Sequence, residues 1–243
     1  EALGKAYACG LCVPANRDLA AKWYERAIEN GNTFAEYQYG MKYVLGTDGF
    51  EKDCRKGYEY LSHAAQAGQT CAMKPLADLL DDEYIPGLSV DEKNSQMIYW
   101  FEKAVENGEE WAAVTLGRKY ENGYSPVQVD VSKAIHYYQI AADHEIDMVY
   151  LSLGKLYMIP GPTCNYKLAH RYLSLAQETA TTDFYIGEIE LCYGKMNKDG
   201  LGIPQNLEEA YKHFTVAASK GNTEAEEELK HFKKGLFGWK LIR

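Results

Sequence analysis

The sequence has no stretch near the roughly 18 consecutive apolar residues of a membrane-spanning helix, so no span is expected within this segment, which reads as soluble. It also lacks an excess of positive charge: 26 Lys and Arg stand against 35 Asp and Glu, a formal net charge of −9. A surface of that sign repels phosphate backbones, which argues against a nucleic acid partner. Catalytic signatures are missing too. None of the 6 histidines forms a His-Glu-x-x-His pair, and there is no phosphate-binding loop, no Gly-x-Ser-x-Gly elbow and no complete calcium loop. No nucleophile with an adjacent base is visible, so no catalytic residue, metal or cofactor is expected. Proline is scarce at 7 residues, and 7 Phe are outnumbered by 20 Tyr in a composition otherwise typical of globular chains. Tyrosine suits helices half buried against a neighbour, because its ring packs while its hydroxyl reaches water.

Against these absences stands one pattern that fills the chain. Residues 113 to 145 contain Leu116, Gly117 and Tyr120 on one helical face, then Gly123 and Pro126 as breakers. After Asp130 a second apolar face follows at Ala134, Tyr137, Tyr138, Ala141 and Ala142. The spacing predicts a helix hairpin. A mid-helix glycine costs about 1 kcal/mol relative to alanine, so the Leu116-Gly117 pair implies close approach of another helix. The small Ala134 and Ala141 supply a second close contact, and the tyrosines fill the space around them.

Aligning on the small residue of the second helix gives Ala20, Gly57, Met97, Ala134, Ala169 and Ala210, at spacings of 37, 40, 37, 35 and 41 residues. The aromatic positions keep step at Trp23-Tyr24, Tyr60-Leu61, Trp100-Phe101, Tyr137-Tyr138, Tyr172-Leu173 and His213-Phe214. So does the next alanine, at Ala27, Ala64, Ala104, Ala141, Ala176 and Ala217. Gly31, Gly68, Gly108 and Gly221 each stand where a left-handed residue would stop a second helix. A unit of about 37 residues is the range of two-helix solenoids. The repeats fall at about 1–32, 33–69, 70–109, 110–145, 146–181 and 182–225, a single solenoid domain, with 226–243 expected as a capping helix and a basic, aromatic tail. From Leu229 to Arg243 that segment carries Leu229, Phe232, Leu236, Phe237, Trp239, Leu241 and Ile242, with Lys230, Lys233, Lys234, Lys240 and Arg243 and no acid.

These residues resemble the Sel-like repeat family, relatives of the tetratricopeptide repeats. Repeat four carries Leu116-Gly117, Tyr120, Gly123, Asp130, Lys133-Ala134 and Ala141-Ala142; repeat one carries Leu3-Gly4, Tyr7, Gly10, Val13, Ala20, Trp23-Tyr24, Ala27 and Gly31. Repeat six carries Gly194, Gly200 to Ile203, Glu209-Ala210, Phe214, Ala217-Ala218 and Gly221. The resemblance covers the chain to about Ala225. It implies an all-α, right-handed superhelix of two-helix repeats whose first helices line a concave face. Repeats three and five depart from the pattern, with Leu76-Ala77 for Leu-Gly, an early Pro75 and the long connection 81–87 in one, and the shortened turn 159–162 in the other. Leu3-Gly4 and Tyr7 match the middle of a first helix, so residues upstream of Glu1 are expected.

Cysteine-rich members of that family carry a disulfide in each repeat, and some are linked to β-lactam binding. Cys9, Cys12, Cys54, Cys71, Cys164 and Cys192 lack that regular spacing. Cys9 and Cys12 are half of a Cys-x-x-Cys site with no second half. Cys54 and Cys71 flank a helix of roughly 20 Å and should not bond, whereas Cys164 and Cys192 could lie close. The other thiols are expected free and buried. Asp78, Asp81, Asp82 and Glu83 form an acidic cluster that could hold a cation weakly, or simply be a solvated edge.

By analogy with related solenoids, concave-face side chains lie three before and one or four after the first-helix glycine. They are Tyr37, Met41, Val44, Lys74, Asp78, Arg118, Glu121, Leu151, Lys155, Lys195 and Lys198. Lys155, Lys195 and Lys198 would make the C-terminal half basic and suited to an acidic peptide, while Tyr37 and Met41 offer an apolar grip. The expected function is a non-enzymatic, monomeric scaffold that binds a protein or peptide. A self-assembling structural role is the alternative, and a weak β-lactam-like binding enzyme a more distant one. The resemblance implies bacterial signalling, envelope or host-interaction adaptors, in cytoplasm or periplasm, and also eukaryotic quality-control complexes.

Overall fold

Short polar side chains set the helix starts. The first backbone N–H groups of a helix have no partner within it, and an Asn or Asp just ahead supplies one. Asn16 accepts from the Leu19 amide, Asp53 from Lys56, Asp130 from Lys133, Asn165 from Leu168 and Asn206 from Glu209. Those caps open the second helices α2 (Arg17–Glu29), α4 (Cys54–Gln66), α8 (Val131–Asp143), α10 (Tyr166–Thr179) and α12 (Leu207–Ser219). The sixth, α6 (Val90–Glu106), begins with a reciprocal capping box between Ser89 and Glu92. Between them run the first helices α1 (Ala2–Cys9), α3 (Thr33–Leu45), α5 (Thr70–Asp82), α7 (Glu110–Asn122), α9 (Tyr150–Met158) and α11 (Asp183–Asp199), followed by α13 (Thr223–Leu229). This computed structural model describes residues 1–123, 127–235 and 238–242, so the expected breaker Pro126 and the tail residues Leu236, Phe237 and Arg243 lie outside the described residues.

The chain divides into two compact units, Glu1–Val129 and Asp130–Arg243. The first holds α1 to α7, with a tyrosine-rich cluster among α1 to α4: Tyr24 stacks on Tyr39 with ring centroids 5.3 Å apart, and Phe50 meets Tyr39 edge-on at 5.6 Å. Burial, then the nearby Cys9, Asp48 and Glu1, pushes the Tyr24 hydroxyl up to about 12, while burial and a hydrogen bond with Tyr43 raise Tyr39. Pro75 sits inside α5.

The second unit holds α8 to α13. Leu151, Leu173, Ile189, Cys192 and Met196 form one buried cluster, and Leu191, Phe214, Ala217, Ala225 and Phe232 another. Its glycines show why small residues recur. A Cβ at Gly154 would lie 2.8 Å from the Leu173 side chain and one at Gly194 2.5 Å from the Phe214 ring, inside any ordinary contact distance.

The tail differs from expectation. Of the capping helix and tail expected over 226–243, the helix α13 ends at Leu229 and the tail folds into strands, β1 (Phe232–Gly235) pairing antiparallel with β2 (Gly238–Leu241). Alternation decides this: Phe232 stands opposite Leu241 and Lys234 opposite Trp239, so the apolar set shares one face of a period-2 ribbon. Trp239 stacks on Tyr211 of α12 at 3.9 Å and Phe232 meets Phe214 edge-on at 5.8 Å. The hairpin, rather than a helix, covers the end of the last repeat.

Second helices stop where a glycine takes the left-handed conformation, at Gly31, Gly68, Gly108 and Gly221. After α8 that position is Glu145, with φ 59°. A side chain there costs about 1–2 kcal/mol, and glycine's freer unfolded chain takes back roughly 0.4–1 kcal/mol of any relief. Glu145→Gly is therefore expected to raise stability by about 0.5–1 kcal/mol. Thermal unfolding followed by circular dichroism checks it, and a lowered midpoint contradicts the strain.

Candidate protein-binding surface

In the first unit the first helices turn part of their faces outward. On α3, Phe34, Tyr37, Met41 and Leu45 recur at helical spacing and form one stripe. Phe34 is 38% and Leu45 59% exposed, unusual for large apolar side chains placed in line on one helix. Phe34 and Tyr37 touch, with ring centroids 5.7 Å apart. Tyr37, Met41 and Leu45 share a groove with Lys5, Tyr24 and Gln38, and the Tyr24 hydroxyl donates to Gln38 Oε1 at 3.4 Å. Tyr37 and Met41 are thus brought together. Val44 is not on this surface: it packs into the space left by Gly57 of α4, where a Cβ would lie 2.6 Å from Val44 Cγ2.

Further along the unit the expected surface residues are engaged with charges. Lys74 bonds Asp78 one turn on at 2.7 Å, and Arg118 lines a groove with Asp81, Asp82, Thr115, Lys119 and Asn122. Glu121 is half-buried on the last turn of α7. The acidic cluster is largely neutralised. The buried Lys119 bonds Asp81 at 2.7 Å, Lys74 holds Asp78, and Lys52 Nζ lies 2.5 Å from Glu83, which holds that carboxyl below its usual range.

In the second unit Leu151 is 8% exposed and belongs to the core. The lysines do not form a basic patch. Lys155 pairs with Glu188 at 2.8 Å, Lys195 with Glu224 at 2.7 Å and Lys198 with Glu228 at 2.8 Å, each reaching the next first helix. Charge alternates from helix to helix, and each pair contributes about 0–1 kcal/mol. Two further pairs were not foreseen from single positions: Glu36 of α3 accepts from His63 of α4 at 2.7 Å, and Glu190 of α11 from His213 of α12 at 2.6 Å. Glu36 and Glu190 each stand four residues before a first-helix glycine, the one repeat-level signal that could have found them.

All six cysteines are free. Cys164 and Cys192 do not bond; Cys192 is buried beside Leu151 and Met196, and burial pushes its thiol up to about 11. The expected burial fails for Cys9 and Cys12, which are exposed. Alkylation of the native protein at neutral pH is expected to label Cys9 and Cys12 first and Cys192 only after unfolding. Rapid labelling of Cys192 would contradict its packing.

Repeated helix pairs with small residues at their contacts and first-helix side chains turned outward define a helical repeat protein. The chain belongs to the Sel1 repeat family, whose model matches residues 1–32, 33–69, 84–109, 112–145 and 188–222. It is 26% identical over 233 residues to the chitin synthase regulator SKT5 of Saccharomyces cerevisiae, covering 93% of this chain and 33% of that protein. It is 31% identical over 80 residues to a putative sel1-like repeat-containing protein of Acanthamoeba polyphaga mimivirus, covering 33% of this chain and 15% of that one. The chain thus spans a third or less of the length of these curated relatives. Among solved structures, a protective antigen of uropathogenic Escherichia coli with an SLR fold matches at TM-score 0.65 and 21% identity, covering 95% of this chain and 47% of that one. A Sel1 repeat protein from Oxalobacter formigenes matches at TM-score 0.60 and 22% identity, covering 94% and 74%. These two likenesses establish an all-α solenoid fold. No described helix is long and apolar enough to cross a membrane.

Proposed function

We propose that the chain is a non-enzymatic scaffold that holds a segment of another protein against the outward face of its first helices. The α3 stripe of Phe34, Tyr37, Met41 and Leu45 is the observation that supports this most strongly. Four large apolar side chains in line on one helix, with water on one side, lose free energy by remaining uncovered. Their spacing suits an amphipathic or extended segment laid along the groove. A yeast relative described as the regulator of an enzyme is consistent with acting through a partner.

The acidic-peptide half of the expectation gives way to this face. An acidic segment at Lys155 and Lys195 would first have to displace Glu188 and Glu224. The test compares capture of partners from the source organism's extract by the parent chain and two variants. Tyr37→Glu with Met41→Glu is expected to weaken retention at least about tenfold. Lys155→Glu with Lys195→Glu is expected to leave it unchanged. Equal capture by the parent and the α3 variant would sink the proposal.

A further inference from the structure

The family model passes over residues 146–187, and there the repeat is rebuilt. Entry into the fifth helix pair begins with the strained Glu145 and a 3-10 turn, Asp147–Val149, before the short α9. The pair closes differently as well. After α10, Ala180 is extended and takes no left-handed stop, and the chain runs through Thr181 to Thr182, which caps α11. An irregular entry and an irregular exit fall together in this repeat and mark a place where something other than regular stacking has shaped the chain.

A cleft opens at that place, lined by Met148, Leu151, Ala176, Thr179, Ala180 and Tyr185, with Asp147, Thr181 and Thr182 at its edges. All of these residues fall within the rebuilt stretch and within one compact unit. Its floor is apolar, because Leu151 and Ala176 belong to the buried cluster beneath. Its rim is apolar and exposed: Met148 is 45% and Tyr185 39% exposed, and Phe184, 68% exposed, touches Tyr185 with ring centroids 5.6 Å apart.

Of the residues lining the cleft, Asp147 alone is charged. The two segments that build it, residues 143–154 and 176–187, carry Asp143, Glu145, Asp147, Glu178 and Asp183 and contain no Lys or Arg. One of these is balanced from outside, since Lys220 bonds Asp183 at 2.7 Å. The field of Glu145 and Asp147 reaches into the structure, where, after burial, it helps to raise the Tyr150 hydroxyl. A purely apolar ligand would gain from the floor and the apolar rim but nothing from Asp147 at the edge. One that also carries positive charge gains from all three.

We propose that this cleft is a docking site for a partner protein's segment, taking one aliphatic or aromatic side chain flanked by Lys or Arg. The inference rests on the scaffold reading and assigns it a second contact, on a different first-helix pair from α3 and with the opposite charge preference from the acidic peptide expected of the sequence.

The test titrates short synthetic peptides, each with a central Leu, Phe or Trp flanked by Lys and Arg, into the isotope-labelled full chain. Matched peptides flanked by Asp and Glu serve as the comparison. Amide shifts at Met148 and across residues 176–185 are expected to saturate with the basic peptides and to need at least about tenfold more of the acidic ones. Thr179→Trp lies at the exposed end of α10 and places an indole over the cleft; Asp147→Lys reverses the rim. Each is expected to weaken the basic peptides about tenfold while melting as the parent does, and neither removes a core side chain. Equal response to both peptide sets, shifts centred elsewhere, or undiminished binding by Thr179→Trp would overturn the site. Shifts at these amides that grow with protein concentration alone would also overturn it, in favour of a second copy of the chain. The α3 variant, run beside these, separates the two readings. If it loses its partner while no basic peptide binds the cleft, the scaffold stands and the cleft does not.

Discussion

Replacing Gly194 with Leu is expected to destabilise the protein by about 3 kcal/mol or more. Helix propensity alone points the other way, because an ordinary residue in a helix interior is favoured over glycine by up to about 1 kcal/mol. Packing decides the sign. Phe214 of α12 is fully buried, and its ring lies 2.5 Å from where the first carbon of any side chain at 194 would stand. The ring has no room to retreat, since Phe232 of the hairpin closes on it edge-on at 5.8 Å. Overpacking of this kind forces backbone shifts, so the smaller Gly194→Ala is also expected to lose stability, by about 1 kcal/mol after its propensity gain. Chemical denaturation of both variants measures the effect. A gain on Gly194→Ala would show that the close approach of α11 and α12 is not what the glycine serves.

Removing Phe232 is the second large effect. Its side chain is 8% exposed and sits among Tyr211, Phe214 and Trp239. Truncating a buried phenylalanine costs about 3–5 kcal/mol, and at the chain's end, where the surroundings can partly collapse, the lower figure applies. Phe232→Ala is therefore expected to lose about 3 kcal/mol and to expose the apolar face of α12. The hairpin packs on Tyr211 and Phe214 of α12, so losing it is expected to cause aggregation at temperatures where the parent does not aggregate. Lys233→Ala, on the opposite face of the same strand, serves as the comparison and should change little. If Phe232→Ala melts as the parent does, the packing of the hairpin on α12 contributes nothing to stability.

The helix pairs were legible because each rests on local chemistry repeated many times. Asx residues cap, glycines stop, and small residues mark close approach, so a single irregular repeat could not hide the pattern. The strand pairing of the tail was not legible, for a physical reason. Leu229, Phe232 and Leu236 carry helical spacing, yet Phe232, Lys234, Trp239 and Leu241 also alternate once the chain folds back, and pairing between the two halves settled the competition.

The candidate surface was legible only on α3, where the half-buried Tyr37 and Met41 line one open groove. Counting lysines failed in the second unit because the neutralising carboxylates sit some 30 residues away, two helices on, at Glu188, Glu224 and Glu228. Val44 and Leu151 were placed outward by the same register that located Tyr37. A small residue opposite the first, Gly57, and the core beneath the second drew them inward.

The scaffold reading is tested most directly by placing a photo-crosslinking amino acid at single positions of the full chain and irradiating it in the source organism. With the probe at Tyr37 or Met41, a discrete higher-mass adduct is predicted. With the probe at Tyr99, exposed on the second helix α6, none is predicted. Adducts of equal yield at all three positions, or at Tyr99 alone, would contradict the assignment of binding to the first-helix face.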